Sequence, residues 1–189
     1  TFTDRGAGEL DCGQYDESGD VFGISGALAL VRASALEDVR YQDEFFDQDF
    51  FASQEDVDLA WRLQHLGWHA RYAADAVAYH HRGMYGQERT GFFERLRNRR
   101  RQSRRRSYYS IRNHWGLLMK NERVLSGLLA APWIVLAEGA RLGYVCLFET
   151  GNLPAFFEAV ARAPRMWTKR RHTLLRLQTP ASEMRRWFP

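Results

Sequence analysis

The sequence predicts an α/β unit followed by a basic, helical tail, and three observations carry that reading. An uncharged stretch, VFGISGALALVR (21–32), alternates small and apolar residues as a buried strand does. A capped amphipathic pattern spans residues 53–67, and a short extended pattern follows over 68–81. Beyond residue 83 that alternation ends, and arginine-rich and apolar helical stretches take over.

Taken in order, residues 1–20 are rich in Gly, Asp and Ser and read as an irregular loop or linker. The strand at 21–32 carries a glycine break at Gly26. Ser34 is placed to cap a short helix over SALEDV, and YQDEFFDQDFF (41–51) reads as a loop with its phenylalanines turned inward. Ser53 is the expected N-cap of the next helix, with Asp56 at the capping-box position three residues on. Leu59, Leu63 and Leu66 mark its apolar stripe, Val57 and Trp61 flank it, and Gly67 ends it as a left-handed residue. WHARYAADAVAYHH (68–81) reads as two extended pieces around Ala73–Ala76, ending at His80 and His81.

With 189 residues, 45% of them hydrophobic, the chain can bury one sizeable core with an appendage. It starts at Thr1, which suggests a processed, excised or fragmentary polypeptide, and TFTDRGAGELDCGQYDESGD lacks the apolar run of a signal peptide. Cys12 and Cys146 lie far apart and form no CxxC pair, which favours a reducing, cytoplasmic setting. Residues 1–60 hold 15 acids against 3 bases, and residues 61–189 hold 8 acids against 24 bases. Such a split suggests that each half faces a different partner, the basic one an anionic surface.

Two readings of Glu55 and Asp56 follow from chemistry alone. Acids in a first helical turn offset the positive end of the helix dipole, each by about 0.3–1 kcal/mol. A carboxylate held there by amide donors also suits a base that takes a proton from an attacking hydroxyl. One acid can cap while its neighbour projects into a cleft.

Four motifs stand in series: Gly26-Ala27 with Arg32, the loop Asp43–Phe46 or Asp47–Phe51, Glu55–Leu59 with Gly67-Trp68, and Tyr79-His80. In that order they resemble the acceptor-side, C-terminal half of family 2 glycosyltransferases of the GT-A fold, in particular bacterial rhamnosyltransferase-like enzymes of cell-surface polysaccharide assembly. The resemblance covers residues 8–85 most closely. It implies that Asp56 is the catalytic base of an inverting transfer, that Glu55 supports the acceptor, and that Asp58 is structural. It implies His80 as a ligand to Mg²⁺ or Mn²⁺, with His81 the alternative if the register slips by one. Gly26 and Ala27 would let a sugar approach the backbone, and Trp61 or Trp68 could stack on a sugar face; close strand packing and core burial are the bland alternatives. The family's donor-binding half, with its DxD acids, has no counterpart here, and Asp47-Gln48-Asp49 matches those letters too late in the chain.

RLRNRRRQSRRRSYYSIR (95–112) carries nine arginines and no acid. The apolar run after it is uncharged for only 14 residues, Val124–Ala137, short of the roughly 18–20 of a spanning helix. The expectation is therefore a tail lying along an anionic membrane surface rather than on nucleic acid. The division expected is 1–85 (acceptor-side catalytic part), 86–115 (arginine-rich linker or helix) and 116–189 (amphipathic, membrane-associated tail). Together these predict a partial glycosyltransferase at the cytoplasmic face of the cell membrane. It would take a nucleotide-sugar donor and a lipid-linked or polysaccharide acceptor. The rival readings are a non-catalytic module for polyanions or nucleic acid, and a degenerate glycosyltransferase-like scaffold.

Overall fold

The computed structural model describes residues 4–80 and 103–188. In chain order these form β1 (Gly19–Val21), α1 (Ala33–Val39), α2 (Glu55–His65), β2 (Ala70–Tyr72), α3 (Arg104–Asn121), α4 (Val124–Phe148), a 3-10 turn (Thr150–Asn152), α5 (Pro154–Leu174) and α6 (Ala181–Arg185). The composition is mixed, as expected, but helix dominates. The sheet among the described residues is one antiparallel pair, with Gly19 opposite Tyr72 and Val21 opposite Ala70.

The expected strand at 21–32 does not form. Only Val21 belongs to β1, and residues 25–30 are exposed, Leu30 at 96%. No strand among the described residues lies beside this stretch, so its backbone groups have no ladder to join. It closes instead on a turn in which the Leu28 N–H donates to the Ser25 carbonyl (3.3 Å). The glycine that packing demands is Gly23, since a Cβ there would sit 2.3 Å from the Ala60 Cβ on α2.

The stripe on α2 behaves as its spacing predicts: Leu59 and Leu66 are buried with Val39, and Leu63 and Trp68 pack against them. Gly67, at φ 79°, ends the helix, and the Trp68 N–H returns to the Leu63 carbonyl (3.0 Å). The start of α2 differs from expectation. Its N-cap is Gln54 with left-handed backbone, Ser53 is left-handed too, and no side chain caps the helix. A capping serine needs extended backbone, which Ser53 lacks. Ser34 likewise lies inside α1, whose N-cap is Arg32 without a side-chain bond.

The central core joins Phe50 and Trp61 to Leu117 of α3, Met166 of α5 and Met184 of α6. Helices α3 and α5 form the most extensive helix pair. The segment after α5 returns to α2, where the Gln178 and Thr179 N–H groups donate to the His65 carbonyl (2.9 and 3.2 Å). Helix α4 touches the rest through Val145, packed with Ile111 and Ala155, and through Glu138, 2.8 Å from His114. It leaves Leu128, Trp133, Val135, Leu136 and Leu147 exposed.

The apolar stretch is longer than its uncharged run suggested. Glu138 pairs with His114 and Arg141, so these charges do not interrupt the helix. Ala130–Phe148, 19 residues, is long and apolar enough to cross a membrane by length and composition alone.

Candidate active site

Asp56 stands in the first turn of α2, half-buried, with both carboxylate oxygens engaged by backbone. Its Oδ2 accepts from the Gly26 N–H (3.0 Å) and its Oδ1 from the Val57 N–H (2.8 Å). Each oxygen keeps a lone pair for a further donor. The Gly26 turn therefore does bind to the acid it was expected to accompany. Bulk at Gly26 would not displace that acid, since a Cβ there would meet Asp56 Oδ2 at an ordinary 3.7 Å.

Glu55 is partly buried, and its Oε2 is enclosed without a hydrogen-bond partner. Burial, with the neighbouring Asp56 charge, pushes its carboxyl above the ordinary glutamate value. Adjacent acids on one turn thus have different surroundings: one is fixed by amide donors, and the other presents an unsatisfied oxygen.

Beneath this pair lies a buried ionic network that sequence reasoning missed. Asp58, fully buried, accepts from Arg62 Nε (2.9 Å), Lys120 Nζ (2.8 Å) and Asn121 Nδ2 (2.8 Å). Asp58 is structural as expected, but it binds across to α3 as well as within its own helix. Lys120 also reaches Asp47 (2.7 Å), and Lys169 of α5 holds Asp47 (2.5 Å), Asp49 (2.9 Å) and Glu44 (3.2 Å). Burial alone would raise the Asp47 carboxyl, but the two lysines outweigh it and hold it at about 2. Asp58 is held below its ordinary value in the same way, burial being outweighed by Lys120 and Arg62. Arg62 further donates to the Val39 and Phe45 carbonyls (2.8 and 2.6 Å), tying the acidic loop to α2.

These contacts join part of the acidic half to part of the basic half. Glu44, Asp47, Asp49 and Asp58 are bound by Lys120, Lys169, Arg162 and Arg62, so these four acids are satisfied inside the protein. Of the DxD look-alike, Asp47 spends its carboxylate on Lys120 and Lys169, and Asp49 on Lys169, Arg162 and Arg165.

Trp61 is only 3% exposed, stacked on Phe188 (5.0 Å) and edge-on to Phe22 (6.1 Å). Its faces are covered, so it serves the core and not the sugar contact expected of it. Trp68 donates its indole N–H to Asp38 (2.9 Å). Ala27 is exposed in the turn beside Gly26. His80 stands exposed after β2, and His81 lies outside the described residues. Among the described residues no three His, Cys, Asp or Glu side chains gather as a metal would require.

The acidic start of α2 is thus anchored to the small-residue turn at Gly26, next to a loop whose Asp47 and Asp49 are buried. The sequence model described as Glycosyl transferase family group 2 matches residues 2–172. The chain belongs to this family. Glycosyl transfer from a nucleotide-sugar donor to an acceptor is the activity that such a domain carries. No curated protein and no solved structure matches this glycosyltransferase chain.

Proposed function

We propose that the chain is the acceptor-side part of an inverting GT-A glycosyltransferase, with Asp56 as its base. The reading is supported above all by the Asp56 carboxylate, fixed between the Gly26 and Val57 amides at the start of α2. In the reaction Asp56 takes the proton of an acceptor hydroxyl as that oxygen bonds to the anomeric carbon. The bond from that carbon to the nucleoside diphosphate breaks on the opposite face, and the configuration inverts. Preset amide donors keep the carboxylate from rotating as the proton arrives. Glu55, the neighbouring acid on the same turn, supports the acceptor in this reading.

The specific form we propose is hexosyl or rhamnosyl transfer to a lipid-linked or cell-surface glycan, at the cytoplasmic face of the membrane. The exposed apolar residues of α4 and α5, among them Trp133, Leu136, Phe157 and Trp167, favour a membrane surface over nucleic acid. A Mg²⁺ or Mn²⁺ ion with His80 among its ligands belongs to the same proposal through the family resemblance. The division into residues 1–85, 86–115 and 116–189 goes with it.

The test is Asp56→Asn in the full-length enzyme, read as nucleoside diphosphate release with a panel of UDP-, GDP- and dTDP-sugars. A fall in kcat of about a hundredfold or more is expected, with donor KM unchanged, as for loss of a positioned base. Turnover at the wild-type rate would sink the assignment.

A further inference from the structure

The turn that delivers Glu55 and Asp56 is built from backbone that side chains resist. Phe51 (φ 55°), Ser53 (φ 73°) and Gln54 (φ 67°) are all left-handed, and none is glycine. Left-handed backbone disfavours such residues, so the surroundings must over-determine the turn. Phe50 enters the core at 2% exposure, whereas Phe51 beside it is 65% exposed.

What holds the turn lies on α3. Asn113, only 2% exposed, points its Nδ2 at three carbonyls: Phe50 (2.7 Å), Ala52 (2.8 Å) and Ser53 (2.7 Å). Its two N–H groups are shared among them. The amide's orientation is fixed from the other end, where Oδ1 accepts from Arg112 Nε (2.9 Å). Carbonyls can only accept, so the nitrogen must face the turn. Arg112 adds Nη2 bonds to the Asp49 and Phe50 carbonyls (2.7 and 3.2 Å). Two adjacent side chains of α3 thus gather the carbonyls of residues 49, 50, 52 and 53. The next carbonyl, that of Gln54, takes the Asp58 N–H (2.9 Å) and opens α2.

We infer that Asn113, backed by Arg112, is a positioning residue for the transfer: it holds the left-handed turn 51–54 so that Glu55 and Asp56 meet the acceptor. The inference rests on the reading of Asp56 as the base. Asn113 touches neither acid; it acts through the turn's backbone. Its side chain therefore governs kcat and leaves donor binding alone.

The experiment uses Asn113→Ala and Gln54→Val in the full-length enzyme. Valine, β-branched, resists the left-handed backbone without emptying the buried Asn113 site. Two readouts are taken: kcat and donor KM with the same nucleotide-sugar panel, and hydrogen–deuterium exchange. The Gly26 amide is the reporter in the second, because it donates to Asp56. Both variants are expected to lose tenfold or more in kcat with donor KM within twofold. Exchange should quicken at residues 51–57 and at Gly26 while α5 keeps its protection. Wild-type kcat and unchanged exchange in either folded variant overturns the inference; if Asn113→Ala does not fold, Gln54→Val decides alone. Asp56→Asn in the same assay separates the two claims. An active Asp56→Asn removes the base while the exchange readout still judges the clamp. An inactive Asp56→Asn beside a fully active Asn113→Ala removes the clamp only.

Discussion

Replacing Lys120 by Met removes one charge from the network under the candidate site and keeps nearly the same volume. Lys120 is 2% exposed, with Nζ 2.7 Å from Asp47 and 2.8 Å from Asp58. Breaking a buried pair from one side typically costs about 3–5 kcal/mol, because the partner charge stays buried. Here Lys169 still holds Asp47, and Arg62 and Asn121 still hold Asp58, so the lower end, about 3 kcal/mol, is expected at neutral pH. The pH dependence carries a definite sign. In the wild type both carboxyls are held below their ordinary values, Asp47 at about 2. Their stabilisation is present above the unfolded value near 3.8 and is lost as pH falls toward 2. Without Lys120, burial is opposed by less positive charge, so both values rise in the folded state. Protonation then relieves the variant as pH falls, and its deficit against wild type narrows. Urea unfolding of both proteins at pH 7.5 and pH 4.5 measures this directly. A deficit under about 1 kcal/mol at pH 7.5, the range of exposed pairs, or one that grows at pH 4.5, refutes the reasoning.

Gly23→Ala drives a methyl into Ala60 on α2, with 2.3 Å between the carbons, and is expected to cost about 1–3 kcal/mol of stability. Equilibrium unfolding checks it, and a change within about 0.5 kcal/mol would show that Gly23 does not pack tightly on α2. Flotation with anionic vesicles tests the membrane surface. Because α4 and α5 expose large apolar side chains, among them Trp133, Leu136, Phe157 and Trp167, binding is expected to rest on those faces. It should persist at high salt, where a contact made mainly by charge is screened away. Release at high salt together with salt-sensitive RNA binding would favour the polyanion-binding alternative.

The apolar stripe and the stop of α2 were legible in the sequence. The Leu59–Leu63–Leu66 stripe and the Gly67 stop appear as the spacing predicts, because periodicity and a left-handed terminus depend on near neighbours alone. The strand over 21–32 was misread because small apolar residues satisfy strand patterning whether or not another strand stands beside them. Ser53 was misread as a cap because letters do not reveal φ; the three carbonyls that Asn113 binds set that backbone from 60 to 63 residues away. Trp61 looked free to stack on a sugar because its cover, Phe188, comes from the far end of the chain. The Gly26 N–H bond to Asp56 was not foreseen: motif order set the two in one candidate site through the family resemblance, but a contact across 30 residues leaves no mark in local patterning.

One compositional signal could have exposed the network. The sequence contains two lysines, Lys120 and Lys169, among 27 basic residues, and both point into the same carboxylate cluster. The geometry gives a reason for lysine at these two places. Three carboxylates converge on Lys169 Nζ, one for each of its N–H donors, whereas a planar guanidinium aims its donors as a fork. Arginine serves where the partners are spread, as Arg62 does between Asp58 and the Val39 and Phe45 carbonyls, and Arg112 between the Asp49 and Phe50 carbonyls and Glu158. The lysines fix the acidic loop from below, and Arg112 with Asn113 fixes the turn that follows it. Helix α3 supplies Lys120, Arg112 and Asn113 together, so the segment that opens as an arginine-rich run ends as the platform on which Asp56 is set.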